Sequence, residues 1–235
     1  MPGPLTDWVA EVKPLVADDA VKLADPGDYQ AAIKAVLKDY SRPRPLLAYE
    51  EYTGDGSTFD FAEPTNWDEE FSIILEVEYP TGKRPQEFLD QIDWKVVIVM
   101  VASVATRFVR LVNHTPTASE KVLVTYTRLH QVADPSTETV PAADREAVIT
   151  LAASKACLTL AAKHADEVST AIDADTIDHS NVAREFRAQA RQYRLEYERH
   201  LGIGKEAHVA AAAAVRDLDV KTPGYPRLFR GPRTR

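Results

Sequence analysis

The stretch from Ala142 to His164 (AADREAVITLAASKACLTLAAKH) constrains the possible folds of this chain more than any other. Over its 23 positions the only charges are Asp144, Arg145, Glu146, Lys155 and Lys163. Alanine and aliphatic side chains fall on nearly every face of a helix drawn through it. A helix that is apolar all round has to be enclosed, and alanine lets its neighbours approach closely. The chain must therefore supply further helices to surround this one.

Three candidates are present. Asp7 is placed to cap a short N-terminal helix with Trp8, Val9, Val12 and Leu15 on one side, which Pro14 is expected to disturb. Pro26-Gly27-Asp28 reads as a turn with an N-cap, and Tyr29, Ile33, Val36, Leu37 and Tyr40 follow at helical spacing until Ser41-Arg42-Pro43-Arg44-Pro45 ends the run. Ser180 is expected to cap a last helix from about Asn181 to Leu201, closed by Gly202. Val182, Phe186, Ala190, Tyr193, Tyr197 and Leu201 form its apolar stripe. Arg184, Arg187, Arg191 and Arg194 form a separate basic stripe at i, i+3, i+7 and i+10.

Between the second and third helices the texture is that of strands. Leu46 to Tyr52 and Thr58 to Ala62 flank Gly54-Asp55-Gly56, the signature of a hairpin. Phe71 to Tyr79, Trp94 to Val101, Thr106 to Val112 and Lys121 to Arg128 complete about six strands. Residues 47–94 hold 13 acids against Lys83 and Arg84 alone. The expected fold class is α+β: a helical bundle split in sequence, with an inserted antiparallel β-subdomain and an extended C-terminal arm. Its parts are residues 1–44 (N-terminal helices of the bundle), 45–133 (the β-rich insertion), 134–202 (two long helices completing the bundle) and 203–235 (the arm).

Charge divides the chain further. The net charge is -8, yet the last 15 residues carry +5 with no acid, leaving -13 on the remainder. So acidic a body does not wrap nucleic acid, because phosphate binding needs cationic surface. A mean hydropathy of -0.29 and no apolar run near the ~18 residues of a spanning helix argue against a membrane protein. The N-terminus carries no basic segment followed by an apolar one, so no secretory signal is read, and the expected compartment is the cytosol. Cys157 is the only cysteine, which removes an intrachain disulfide and a multi-cysteine zinc site.

Catalytic patterns are missing. Gly54-Asp55-Gly56 lacks the third glycine and the strand-to-helix setting of a dinucleotide loop. No GxxxxGK[ST], HExxH or GxSxG occurs. Cys157 lies mid-helix among apolar residues and reads as a small core side chain, since a reactive thiolate needs exposure and a cationic neighbour. Asp173, Asp175 and Asp178 lack the glycine and distal glutamate of a calcium loop and read as a solvated turn. His114, His130, His164, His179, His200 and His208 show no metal-ligand spacing and are expected in surface or capping roles. Asp144, at a helix start, reads as ordinary dipole complementation. No enzyme, cofactor or metal site is expected.

Two features ask for a partner. The arginine stripe reads as a solvated face or, given the planar fork of guanidinium, as a set of ion pairs between subunits. The tail KTPGYPRLFRGPRTR reads as a disordered, fraying terminus or, because it interleaves Tyr225, Leu228 and Phe229 with Arg227 and Arg230, as an arm that orders on a partner.

Six blocks carry a family resemblance: DYQAAIKAVLKDYSRPRP; YTGDGSTFDF; FSIILEVEYPTGKRP with Asp93-Trp94 after it; VLVTYTRLH; TVPAADREAVITLAASKACLTLAAKHADE; and DADTIDHSNVAREFRAQARQYRLEYERHLG. From about Asp28 to Gly202 the chain resembles the head-to-tail connector adaptors of tailed bacteriophages, although its β-insertion is larger than the minimal helical adaptor. The resemblance implies a virion protein of the neck, made in the host cytoplasm and assembled as a homo-oligomeric ring, usually a dodecamer, beneath the portal protein. Such a ring continues the channel for double-stranded DNA without reading its sequence, and docks the stopper or tail protein. In similar adaptors the C-terminal extension inserts between portal subunits, which would make Tyr225, Arg227, Leu228, Phe229 and Arg230 the portal-binding arm. Arg184, Arg187, Arg191 and Arg194 would then face a neighbouring subunit or the channel. Two further classes are compatible with the residues: another neck ring component, such as a stopper or tail terminator, and a β-type carbohydrate-binding accessory using Trp67, Trp94 and the tyrosines.

Overall fold

The computed structural model describes residues 3–101, 103–168 and 179–203. Four helices bury one core and two small antiparallel sheets bury another, an α+β fold.

Helix α1 (Pro4–Val16) buries Leu5, Trp8, Val9, Val12 and Val16 along one stripe. Its cap is not Asp7, which lies in the first turn. Gly3 occupies the N-cap position without a side chain to use, and Asp134 supplies the carboxylate instead. Asp134 Oδ1 accepts from the amide of Leu5 at 3.0 Å and Oδ2 from the hydroxyl of Thr6 at 2.8 Å. Orphan amides of a first turn need an acceptor, and here it arrives from far along the chain. A Cβ on Gly3 would stand 2.1 Å from that carboxylate, so any larger residue there would push the Asp134 side chain out of its capping position. Pro14 falls in the last turn and disturbs little; the helix ends two residues later, where Ala17 turns left-handed at φ 50°.

Helix α2 (Gly27–Ser41) starts one residue before the expected Asp28 cap, behind Pro26. Asp28 instead accepts from the Ala24 amide at 2.9 Å and from Lys163 at 2.6 Å. Tyr29, Ala32, Ile33, Val36, Leu37 and Tyr40 are buried, as their spacing requires. Helix α3 (Ala142–Val168) runs past His164, and α4 (His179–Leu201) begins one residue before Ser180, which is therefore not its cap. Gly202 ends α4 with φ 67°, as expected of a C-terminal glycine. Ala152, Ala153, Ala156, Cys157 and Leu160 are enclosed. Ser154 donates to the Ala190 carbonyl at 2.7 Å, a contact that needs two helices in close approach. The enclosure of α3 is not complete, however: Leu158 and Ala162 are exposed.

The β-region holds β1 (Leu46–Thr53), β2 (Asp60–Ala62), β3 (Ile74–Glu78), β4 (Trp94–Val101), β5 (Val104–Leu111) and β6 (Lys121–Arg128). A short ribbon of β7 (Val132–Ala133) and β8 (Thr137–Glu138) precedes α3. One sheet has the order β1-β6-β3 and the other β2-β5-β4. The hairpin expected across Gly54-Asp55-Gly56 does not form. β1 pairs with β6 and β2 with β5, so the loop crosses from one sheet to the other. Its own bonds explain the crossing. Asp55 accepts from the amides of Ser57 and Thr58 at 2.8 and 2.6 Å, while Gly54 lies so close to Pro116 that a Cβ would stand 2.4 Å from its carbonyl oxygen. Phe61, Val109 and Leu111 of one sheet meet Val77, Val122 and Val124 of the other in the shared core.

Candidate interaction surfaces

One buried polar cluster among the described residues is not suggested by the sequence. Asp144 is buried in the third position of α3. Its carboxylate accepts from Tyr40 Oη at 2.6 Å, is ion-paired with Arg44, and lies 3.3 Å from His200 Nε2. These partners come from the end of α2, the segment after it and the end of α4. Asp144 is thus a fastening point rather than simple dipole complementation. Burial alone would raise the carboxyl, but the Tyr40 and Arg44 hydrogen bonds outweigh it and hold the group below its ordinary value. The same burial and the bond to Asp144 push the Tyr40 phenol upward. No local pattern marks this site, because its members stand 56 to 104 positions away.

The histidines divide between surface and core. His130 and His164 are buried, against expectation. His130 Nδ1 lies 2.9 Å from the Thr139 carbonyl, and its ring sits 5.0 Å from that of Tyr40. His164 stacks on Phe186 at 5.6 Å. Cys157 is enclosed, and burial pushes its thiol up to about 11.

Helix α4 presents two unlike faces. Ala190 and Tyr197 are buried, and Tyr193 Oη donates to the Leu15 carbonyl at 2.8 Å, tying this face to α1. The arginine stripe is exposed along its whole length. Arg194, 71% exposed, pairs with Glu198 at 2.9 Å along the helix. Among the described residues, Arg184, Arg187 and Arg191 have no ion-pair partner. Near the end of α4 a groove of about 520 Å³ opens between α2, α3 and α4. Leu151, Leu158, Tyr197 and Ile203 give it an apolar floor, and the Lys155–Asp39 pair at 3.1 Å lies on its rim. Tyr225, Arg227, Leu228, Phe229 and Arg230 of the C-terminal arm lie outside the described residues, as do Asp173, Asp175 and Asp178.

The β-region exposes a second surface. In β4, Val96, Ile98, Val99, Met100 and Val101 are all exposed, on both faces of the ribbon that β4 makes with β5. Trp94, at its base, packs against the core. Trp67 stacks on Tyr126 at 6.0 Å with the Arg107 guanidinium 5.4 Å from its ring. Both tryptophans expected as a sugar platform are therefore engaged in packing. No group of three or more His, Cys, Asp or Glu suited to a metal occurs among the described residues, and no described helix is long and apolar enough to cross a membrane.

No protein-family model matches the chain, and no curated protein does. Among solved structures, a chain of the virion of native gene transfer agent (GTA) particle is similar over 80% of this chain and 92% of that one, at 13% identity and a TM-score of 0.27. A likeness this slight decides nothing about what the protein does.

Proposed function

We propose that this protein is a structural connector of a tailed phage, an adaptor that forms a ring under the portal, continues the DNA channel and docks the stopper or tail. The observation that carries the reading is the arginine stripe of α4, which stands exposed on a helix whose opposite face is packed. Guanidinium groups on one face of a rigid helix suit carboxylates of a neighbouring subunit, or phosphates passing through a channel. The acidic body fits the same role, since it repels DNA and lets it slide. The resemblance from Asp28 to Gly202 supports it in sequence. In this reading the arm carrying Tyr225, Leu228 and Phe229 grips the portal, and the protein acts in the virion neck by assembly, without an active site.

The test is electron microscopy of the purified chain alone and mixed with portal-containing heads. Rings seated on the portal are expected. A ring that binds only tail tubes would move the protein to a stopper or terminator role. A protein that stays monomeric in both samples would overturn the reading.

A further inference from the structure

The groove between α2, α3 and α4 leaves the helical core unfinished, and two observations show it. Helix α3 keeps one apolar stripe open. Leu151 and Lys155 line the groove, Leu158 is 47% exposed in it, and Ala162 and Ala165 continue the same face into solvent. Tyr197 lies in the floor, 5% exposed, and its Oη has no hydrogen-bond partner among the described residues. A buried hydroxyl without a partner costs stability, so folded chains rarely leave one. Both observations ask for a covering element.

The end of α4 shows where such an element arrives from. α3 and α4 run antiparallel: His200 lies against Asp144 near the start of α3, Ser154 bonds to Ala190, and His164 stacks on Phe186 near the end of α3. Gly202 then turns left-handed, its amide donates to the Arg199 carbonyl at 3.2 Å, and the Ile203 amide donates to the Glu198 carbonyl at 2.9 Å. This pairing reverses the chain onto the end of its own helix. Ile203, where the described residues end, packs on the helical core and lines the groove. The chain therefore leaves from the groove wall, at the end where Leu151 lies, and the open stripe of α3 runs on from there.

The sequence that follows suits the groove. Residues 206–218 (EAHVAAAAAVRDL) hold six alanines and no glycine or proline, and alanine is the strongest helix former. Drawn as a helix, Ala207, Ala211, Ala214, Val215 and Leu218 share one side, and Glu206, Arg216 and Asp217 lie away from it. Thirteen helical residues span about 20 Å, which matches the stripe from Leu151 to Ala165. Gly202 to Lys205 leaves a connection of the length that joins antiparallel helices. The rim offers little free charge to a different occupant, because Lys155 is paired with Asp39 and Arg194 with Glu198.

We propose that residues 206–218 form a further helix, antiparallel to α4, that lies in the groove of its own chain and covers Leu158 and Tyr197. The inference goes beyond the proposed ring and does not depend on it. It divides the C-terminal segment, so that only the residues after Leu218 are left to reach a partner.

Hydrogen exchange of the full-length protein, read by mass spectrometry, tests the proposal. Residues 206–218 should exchange at least about tenfold more slowly than a synthetic peptide of the same sequence. Leu158→Glu puts a charge into the groove from an exposed position of α3, and Ala211→Glu puts one on the covered side of the segment. Each should bring the segment back to within about twofold of the peptide rate while α3 and α4 keep their own protection. Ala213→Glu, on the far side, should leave the segment protected. Exchange at the peptide rate in the parent, protection unchanged by Leu158→Glu or by Ala211→Glu, or an equal loss in Ala213→Glu would each overturn the proposal. Protection that disappears on dilution would assign the groove to the segment of a second copy, and would overturn it too. None of these readouts requires a ring to form.

Discussion

Asp144 binds three parts of the helical core through one carboxylate, and its protonation state is therefore tied to folding. Held below its ordinary value of 3.8, it contributes stability that is fully present above that pH and is lost as the pH falls through the lower folded value. His130 adds an earlier step of the same sign. Burial lowers it from 6.5, so its neutral form is favoured on folding, and stability starts to fall as the pH drops below that ordinary value. Acid unfolding should accordingly set in below about pH 6.5 and steepen below pH 4. Asp144→Asn should cost about 1–3 kcal/mol at neutral pH and flatten the lower part of the profile, read by thermal unfolding at a series of pH values. Tyr40→Phe should show a smaller loss in the same experiment. Cys157, with its thiol raised to about 11, should react with a thiol reagent only at the rate of unfolding; prompt labelling of the native protein would contradict its enclosure.

At the scale of elements, the alanines of α3 set how closely its neighbouring helices can lie. Ala153 and Ala156 are enclosed. Replacing either with leucine should cost about 1–3 kcal/mol by overpacking, visible in chemical denaturation. An unchanged midpoint in both variants would mean that no neighbouring helix is seated against them. The outward face of α4 answers to a different test. Reversing Arg187 and Arg191 together to glutamate should leave the melting temperature within a degree or two, because both side chains are exposed, and should weaken ring assembly or virion completion. Normal particles bearing the double reversal would reduce the stripe to a solvated face.

For the whole molecule, the separation of a helical core from a β-core distributes the proposed tasks. The bundle would carry the arginine face and the arm. Truncation after Val220 removes the proline-rich, +5 segment without touching either described core. The truncated chain should fold as before and fail to co-sediment with portal-containing heads. Prolines restrict such a segment before it docks, so less entropy is lost on binding. Binding equal to that of the full chain would transfer the portal contact to the bundle.

Much of the fold was legible wherever the deciding physics is local. The apolar spacing of Tyr29 to Tyr40, the enclosure of Ala152, Ala153, Ala156, Cys157 and Leu160, the bounds of β4 and β6, the Gly202 stop and the two faces of α4 all follow from periodicity and backbone preference, which neighbours in sequence express. The tertiary structure decided what depends on distant groups. Asp134, not Asp7, caps the first helix, because Gly3 brings the first turn against it. Gly54-Asp55-Gly56 turns the chain between sheets instead of within one, because Asp55 bonds to its own loop and Pro116 crowds Gly54. Asp144 gathers Tyr40, Arg44 and His200 from remote positions, and no spacing rule connects them. The open edges of β1 and β4 also became visible only with the pairing known. Which strand lies at an edge is a property of the sheet order, and sheet order is set by packing across the whole chain, not by the strand's own residues.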